Sequence, residues 1–273
     1  YSTAYEGLDD STLYIKIDDD IVYIEDNAIL SIVCTKLMHP EHYIVSANVI
    51  NQPMMSWVHL NLGAVLPYMP DTTNDYPEYG PGEHTDWRAS TLPEWQGNPN
   101  FKVIDWDSPD KKKHRWLPMH DRKDHILDKT AIMDTEYDAF GKGLGHWQIA
   151  AQQHMSFFEH LENEELWRYM FNTWDFQRKR MGIQFMALMG IDINRAKPIP
   201  PDDEHHFSVT MPDKFGQSRF FSFLFFFLFY GCCCLIVPKF HLDNANTSFF
   251  STAAVADGRA IISHYSFGPQ SAQ

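Results

Sequence analysis

The sequence predicts an α/β domain with a mainly parallel sheet. Two observations favour this class: a strand, a helix and a second strand follow one another within residues 1–66, and helical periodicity returns near residue 147. The chain has 273 residues, of which 44% are apolar, so it can bury one large core or two modest cores. A globular protein is therefore expected, and a wholly disordered chain is excluded.

The first elements follow from the spacing of apolar residues. Residues 13–17 alternate apolar and polar side chains, three aspartates follow at 18–20, and the apolar run resumes at 21–24, as in a strand that leads into an acidic corner. Helical spacing predicts a helix over 28–38, and a second strand covers 43–50. The acidic corner follows the end of a strand, which is where ligands of parallel sheets bind.

The pattern changes in the middle of the chain. Residues 67–129 mix Pro, Gly, aromatic residues and charges without a period, and a connection of that length is usually functional or disordered. Its many Tyr and Trp residues favour an ordered loop. Residues 130–217 are predicted to be a helical part, with helices at 147–161 and 166–176 and an apolar segment at 181–193 that fits either a helix or a buried strand.

A phenylalanine-rich run interrupts the C-terminal part. Ten of the twenty Phe residues lie between residues 218 and 250, and residues 220–237 carry no charge, which is near the lower length limit for a membrane-spanning helix. Because the run breaks into a domain that continues after it, we expect residues 218–254 to be an intron-derived or otherwise aberrant insertion. A transmembrane helix is the alternative. Residues 255–273 then supply a C-terminal strand.

The composition excludes one class of partner. The chain carries 22 Lys and Arg residues against 36 Asp and Glu residues, a formal net charge of −14. Such an acidic surface is unsuited to the phosphates of nucleic acids, so no nucleic-acid partner is expected. The four cysteines are Cys34 and a contiguous trio at 232–234, which fit neither a disulfide framework nor a zinc site with paired cysteines.

The run Asp18, Asp19 and Asp20 is the strongest chemical signal in the sequence. Three adjacent carboxylates repel one another, and a bound cation relieves this repulsion. Carboxylate oxygens suit Mg²⁺ or Mn²⁺, which keep open positions for the oxygens of a diphosphate. The functional interpretation is a metal bridge to a nucleotide-sugar diphosphate, with the metal acting as a Lewis acid on the leaving group. The structural interpretation is a solvated acidic turn.

Several stretches of the chain share one family resemblance. They are residues 16–24, 43–51, 57–59, 62–64, 150–154 and 257–264. With the Asp-x-Asp motif in the first of them, they resemble GT-A-fold glycosyltransferases, and most closely an uncharacterised fungal group. The resemblance implies a GT-A-like, Rossmann-type fold with a mixed, mainly parallel sheet covered by helices.

The same resemblance implies an activity. Enzymes of this kind move a sugar from a nucleotide-sugar donor to a carbohydrate or glycoconjugate acceptor, with Mn²⁺ or Mg²⁺ as the cofactor. In the GT-A fold a nucleotide-binding part precedes the Asp-x-Asp motif, whereas here the motif begins at residue 18. We therefore expect a fragment that lacks the N-terminal part. An inactive fragment or a sugar-binding module is the alternative, and a membrane is a partner only if an anchor lies in the missing part or the run at 220–237 is real.

The resemblance also implies roles for individual residues. Asp18 and Asp20 would bind the metal and the diphosphate, and Asp19 beside them would contact the ribose or the metal. His264 matches a histidine near the C-terminus that completes the metal shell in many GT-A enzymes; a lone histidine in a strand is otherwise a structural residue. Gly63 would let the backbone approach the donor sugar, unless it is an ordinary turn glycine.

The general base is harder to assign. Inverting enzymes of this fold use a carboxylate to remove the proton of the acceptor hydroxyl, and the acidic pair that marks it in the family is not found at the expected place. Asp86 is the candidate, and the choice between retaining and inverting stereochemistry stays open.

A rival enzyme class fits a different set of residues. His84, Asp86 and a later histidine such as His146 reproduce the two-histidine, one-carboxylate iron site of non-haem oxygenases. That chemistry normally occurs in a double-sheet jelly roll, which needs many short, evenly spaced strands that the sequence does not predict. The glycosyltransferase is therefore preferred.

Overall fold

The structure is a computed structural model, and the residues it describes are 2–70, 87–103, 116–119, 125–215 and 253–264. Three predictions fall outside these residues: the candidate base Asp86, the iron ligand His84 and the uncharged run at 220–237. Of the suspected insertion, only Ala253 and Ala254 are described, and both belong to a strand.

Eight strands and, besides a helical segment at 211–215, six α-helices form within the described residues. The strands are β1 (Leu13–Ile17), β2 (Ile21–Ile24), β3 (His42–Ile50), β4 (Tyr68–Pro70), β5 (Trp116–Pro118), β6 (Trp174–Asp175), β7 (Phe185–Met189) and β8 (Ala253–His264). The helices are α1 (Ala28–Met38), α2 (Pro53–Asn61), α3 (Lys142–Gly145), α4 (Trp147–Glu162), α5 (Gly190–Ala196) and α6 (Asp203–His205).

The elements predicted from local spacing are largely confirmed. The strands β1 and β2 and the helix α1 have the predicted bounds, β3 begins one residue earlier than predicted, and α4 ends one residue later. The segment at 181–193 contains β7 and the start of α5, so it is a strand followed by a helix.

The predicted helix at 166–176 is wrong. Only Leu166–Tyr169 form a short 3₁₀ turn, and Trp174–Asp175 form β6. The strand β6 pairs antiparallel with β8, with Trp174 opposite Ala256. This pairing joins residues far apart in the chain and outweighs the local helical spacing, which is a weak preference on its own.

The main sheet confirms the α/β class. The prediction of a mainly parallel sheet is not confirmed, because the strand pairs of this sheet with a defined register are antiparallel. Its strand order is β1-β7-β3-β8-β2, and β6 also pairs with β8. The strand β7 is antiparallel to both β1 and β3, and β8 is antiparallel to β2 and β6. Because β1 and β3 are both antiparallel to β7, they run in the same direction. They are not neighbours, however, since a strand from much later in the chain lies between them.

The chain divides into two compact units. One contains residues Tyr1–Ile17, Ile29–Ser46 and Thr173–Asp257, and the other contains Asp18–Ala28, Ala47–Asn172 and Gly258–Gln273. Each unit is thus assembled from three separated segments of the chain, which the division by sequence pattern does not anticipate.

A buried lysine organises the first unit. The side chain of Lys36 is 1% exposed, and its Nζ lies 3.3 Å from Asp192 Oδ2 on α5. The same ammonium donates to the main-chain carbonyl oxygens of His42 and Tyr43. Burial lowers the pKa of Lys36, and burial raises the pKa of Asp192, although each charge partly offsets the shift of the other. The ion pair therefore ties α1 to α5 and to the start of β3.

The second unit contains ordered structure inside the region at 67–129. The strands β4 and β5 pair antiparallel, with Met69 opposite Leu117. Tyr68, Trp95 and Trp116 are buried in one hydrophobic cluster that also includes residues of α4. These aromatic side chains therefore form a core, as expected for an ordered region.

A hydrogen-bonded histidine lies in the core of the second unit. Asn48 on β3 donates from its amide nitrogen to the carbonyl oxygens of Tyr169 and Gly258, at 2.8 and 3.1 Å. Its amide oxygen lies 2.7 Å from Nε2 of His59 and accepts a hydrogen bond from it, so the ring proton is on Nε2. Burial lowers the pKa of His59 to about 3, and the ring is neutral at pH 7.

We predict that His59→Gln reduces the loss of stability in acid. In the unfolded chain the imidazole has a pKa of about 6.5, so it binds a proton as the pH falls below this value. In the folded protein the ring binds that proton only near pH 3. Between these values the free energy of unfolding falls by about 1.4 kcal/mol for each unit of pH lost.

Urea unfolding at pH 7, 6 and 5 measures this slope. Between pH 7 and pH 5 the free energy of unfolding of the His59→Gln protein should fall by about 2 kcal/mol less than that of the unmodified protein, since the slope reaches its full value only below the unfolded pKa. The control is His125→Gln, since His125 has a side chain that is 90% exposed. Equal slopes for His59→Gln and the control would contradict the prediction.

Candidate metal centre

The three aspartates form a tight turn between β1 and β2. The backbone N–H of Ile21 donates to the carbonyl oxygen of Asp18 at 3.4 Å, which closes the turn. Asp19 is exposed, whereas Asp18 and Asp20 are partly buried. The outer two carboxylates therefore lie in a different environment from the middle one.

Strand pairing brings His264 to this acidic turn. The strand β2 is antiparallel to β8, with Ile21 opposite His264, the last residue of β8. Because Asp20 directly precedes β2, its Oδ2 lies 2.9 Å from Nε2 of His264. The structure thus joins two of the three predicted metal ligands, which come from nearly opposite ends of the described chain.

The electrostatics of His264 suit a metal ligand. Burial lowers its pKa, while the carboxylates of Asp20 and Asp18 act in the opposite direction and only partly compensate. The imidazole is therefore neutral at pH 7, which is the form that binds a metal ion. Its other nitrogen, Nδ1, is buried without a hydrogen-bond partner among the residues that the structure describes.

Two side chains hold the backbone of His264 in place. Asn51 Nδ2 and His154 Nε2 each donate to the carbonyl oxygen of His264 at 3.0 Å. Burial lowers the pKa of His154, which keeps this ring neutral. Gln153, which precedes His154 on α4, accepts a hydrogen bond from the backbone N–H of Asn51 at 3.3 Å. The end of β8 is thereby fixed to α4 and to the residue after β3.

Asn51 and His154 are positioning residues that the sequence analysis missed. Asn51 is fully buried and adopts a left-handed backbone conformation with φ of 70°, which asparagine tolerates better than most residues. His154 follows two other polar residues, Gln152 and Gln153, that are buried on α4. A polar cluster on the buried side of a predicted helix is a signal that would have pointed to this role.

The donor set fits Mn²⁺ or Mg²⁺. Two ligand atoms at about 2.1 Å from an octahedral ion lie about 3.0 Å apart in adjacent positions, which is close to the separation of Asp20 and His264. Carboxylates suit both ions, and an imidazole favours Mn²⁺ over Mg²⁺. The ligand atoms of Asp18, Asp20 and His264 do not all lie within 4.8 Å of one another. The Asp18 side chain must therefore turn toward the ion if all three residues are to bind it.

Gly63 has a structural role that explains its conformation. It follows the C-cap residue of α2 and has a left-handed φ of 74°. Its N–H donates to the carbonyl oxygen of Leu60, and the N–H of Ala64 donates to that of His59, both at 3.0 Å. These two bonds define a Schellman cap, for which glycine is the usual residue. The turn interpretation thus accounts for Gly63 without a donor sugar.

The other predicted site residues are His84, Asp86 and His146. Asp86 and His84 lie outside the described residues, so the structure locates neither the candidate general base nor the iron site. His146 is partly buried at the start of α4 and makes no capping hydrogen bond with its side chain.

We predict that Gly63→Ala lowers stability without changing metal binding. A residue with a Cβ atom in the left-handed region costs about 1 kcal/mol relative to glycine. Urea unfolding should show this loss, and calorimetric titration with Mn²⁺ should give an unchanged affinity. A substitution that leaves stability intact but weakens binding would instead indicate that Gly63 approaches a ligand.

Comparisons with protein-family models, with curated proteins and with solved structures found no match. Among the described residues, none of the helices combines the length and apolar character needed to cross a bilayer. A functional assignment therefore depends on the residues of the site and on their geometry.

Proposed function

We propose that the chain is a metal-dependent glycosyltransferase, which moves a sugar from a nucleotide-diphosphate donor to a carbohydrate or glycoconjugate acceptor. The observation that supports this most strongly is the contact between Asp20 and His264, at 2.9 Å beside Asp18. The resemblance to GT-A enzymes implies a metal shell of these same three residues. In this proposal the α/β fold is GT-A-like, with its Asp-x-Asp turn at the metal centre.

Each ligand has a defined task in this proposal. Asp18 and Asp20 supply negative charge to the ion, and His264 supplies a neutral nitrogen. Bound Mn²⁺ or Mg²⁺ stabilises the charge that develops on the diphosphate leaving group. Asp19 is exposed at the tip of the turn, where it is accessible to the ribose of the donor.

The surroundings of His264 favour catalysis by preorganisation. Asn51 and His154 fix the carbonyl oxygen of His264, and therefore restrict the position from which its ring reaches Asp20. A ligand that is already oriented needs little rearrangement when charge develops during the reaction.

The charge of the site implies an order of binding. The acidic turn would repel a diphosphate in a chain that already carries a formal charge of −14. A divalent cation reverses the sign of the local field. The donor should therefore bind only after the metal.

Calorimetric titration tests the metal centre. We expect Mn²⁺ to bind to the unmodified protein, and Asp20→Asn and His264→Ala each to weaken this binding by at least about tenfold. Asp26→Asn is the matched control, since it removes the same charge from an exposed position in the same unit. Equal Mn²⁺ affinities in Asp20→Asn and Asp26→Asn would contradict the assignment of the site.

A panel of uridine- and guanosine-diphosphate sugars tests the reaction. With Mn²⁺ present we expect the full-length protein to bind one of these donors and to release its nucleoside diphosphate, and Asp20→Asn to abolish both. Donor binding that is equally strong without a metal, or metal binding without any donor binding, would overturn the proposal.

A further inference from the structure

A second cluster of metal-ligating side chains lies in the first unit. One ring nitrogen of His39, one ring nitrogen of His42 and one carboxylate oxygen of Glu41 all lie within 4.8 Å of one another. His39 Nδ1 is 3.0 Å from Glu41 Oε1, and the two imidazole rings are 5.3 Å apart between their centroids. Among the described residues, this is the one group of three such side chains that meets this distance.

The local backbone explains why these side chains meet. The N–H of His42 donates to the carbonyl oxygen of His39 at 3.0 Å, which closes a four-residue turn directly after α1. Pro40 occupies the second position of this turn, where its fixed φ is favourable. The three ligand-type residues therefore occupy the first, third and fourth positions of one closed turn.

Buried contacts of Lys36 anchor this turn on its core side. The ammonium of Lys36 donates to the carbonyl oxygens of His42 and Tyr43, at the start of β3, and pairs with Asp192. The backbone on the His42 side is thus anchored to the core. The side chains of His39 and Glu41 are 50% and 40% exposed, so a cation can reach them from solvent.

His42 also has an unsatisfied polar atom. Its Nδ1 is buried and has no hydrogen-bond partner within the described part of the chain. A buried polar atom in that state is uncommon and calls for an explanation, such as a bound ion or water. The carboxylate of Asp175 lies close enough to His42 to interact with it electrostatically, and adds negative charge near the cluster.

We propose that the His39-Pro40-Glu41-His42 turn is a binding site for Zn²⁺ or a similar late transition-metal ion, separate from the acidic turn. Two imidazoles and one carboxylate form a donor set for Zn²⁺ and leave a fourth position for water. Ligand atoms of a tetrahedral zinc ion are about 3.3 Å apart, so the cluster closes by rotation of the exposed His39 and Glu41 side chains.

The two sites differ in the ions that they select. Imidazole nitrogen binds Zn²⁺ more tightly than Mn²⁺ or Mg²⁺, whereas the oxygen-rich acidic turn suits the latter two. A zinc ion at the His39-Pro40-Glu41-His42 turn would bridge the end of α1 and the start of β3. Because the folded turn presents the ligands together and the unfolded chain does not, Zn²⁺ binding should stabilise the first unit.

The test uses protein that carries Asp18→Asn and Asp20→Asn, so that the acidic turn no longer contributes carboxylates. Calorimetric titration with Zn²⁺ should detect a site that His39→Ala and His42→Ala each weaken by at least about tenfold. His125→Ala is the control, because His125 is an exposed histidine that lies 4.0 Å from a carboxylate oxygen of Asp128. Circular dichroism confirms that each variant is folded, and His39→Ala removes a side chain that is half exposed.

Thermal unfolding supplies a second readout. At a hundredfold excess of Zn²⁺ over its dissociation constant, the melting temperature of the parent protein should rise by about 5 °C, and His39→Ala should remove this rise. Mg²⁺ at the same concentration should have no such effect. The proposal is overturned if His39→Ala and His42→Ala bind Zn²⁺ with the same affinity and stoichiometry as His125→Ala.

Discussion

The antiparallel pairing of β2 with β8 is the interaction on which the candidate site depends. It places Ile21 opposite His264, and therefore sets Asp20 against the ring of a residue from the other end of the described chain. A shift of one residue in this register would turn His264 to the other face of the sheet. Asn51 and His154 oppose such a shift, because both bind the carbonyl oxygen of His264.

Buried neutral histidines recur in the second unit. Burial lowers the pKa of His59, His154 and His264, and each ring lies within hydrogen-bonding distance of an oxygen atom. A neutral imidazole in such a position orients a neighbour without adding a buried charge. Such histidines make the folded state less stable in acid, because the unfolded chain binds protons at a higher pH than the folded protein does. His264 differs from the other two because its ring meets a carboxylate that is partly exposed to solvent.

The sequence predicts the elements that depend on the local spacing of apolar residues. It does not predict the strand pairings that join distant parts of the chain. The approximate bounds of β1, α1 and α4 follow from the periodicity of their apolar residues, because the same residues pack into the core. The position of β7 between β1 and β3, and the formation of β6, depend on partners about eighty residues or more away in the chain. For the candidate site, Asp18 and Asp20 were predicted from their run of adjacent carboxylates, and His264 from a resemblance in motif. Asn51 and His154 were not, because their task is defined only by a carbonyl oxygen whose position the fold determines.

The two proposed cation sites of this formally acidic protein differ in kind. The donors at the acidic turn are carboxylate oxygens and one imidazole. The negative charge of these carboxylates therefore sets the proposed affinity for a hard cation. The turn at His39 has two imidazoles and a closed backbone, so its selectivity comes from nitrogen donors. If the proposed reaction depends on the acidic turn alone, an ion at the other proposed site should change stability but leave donor binding unaltered. Each of the two turns has its own set of buried contacts, the Lys36–Asp192 pair for the turn at His39 and the Asn51 hydrogen bond for His264.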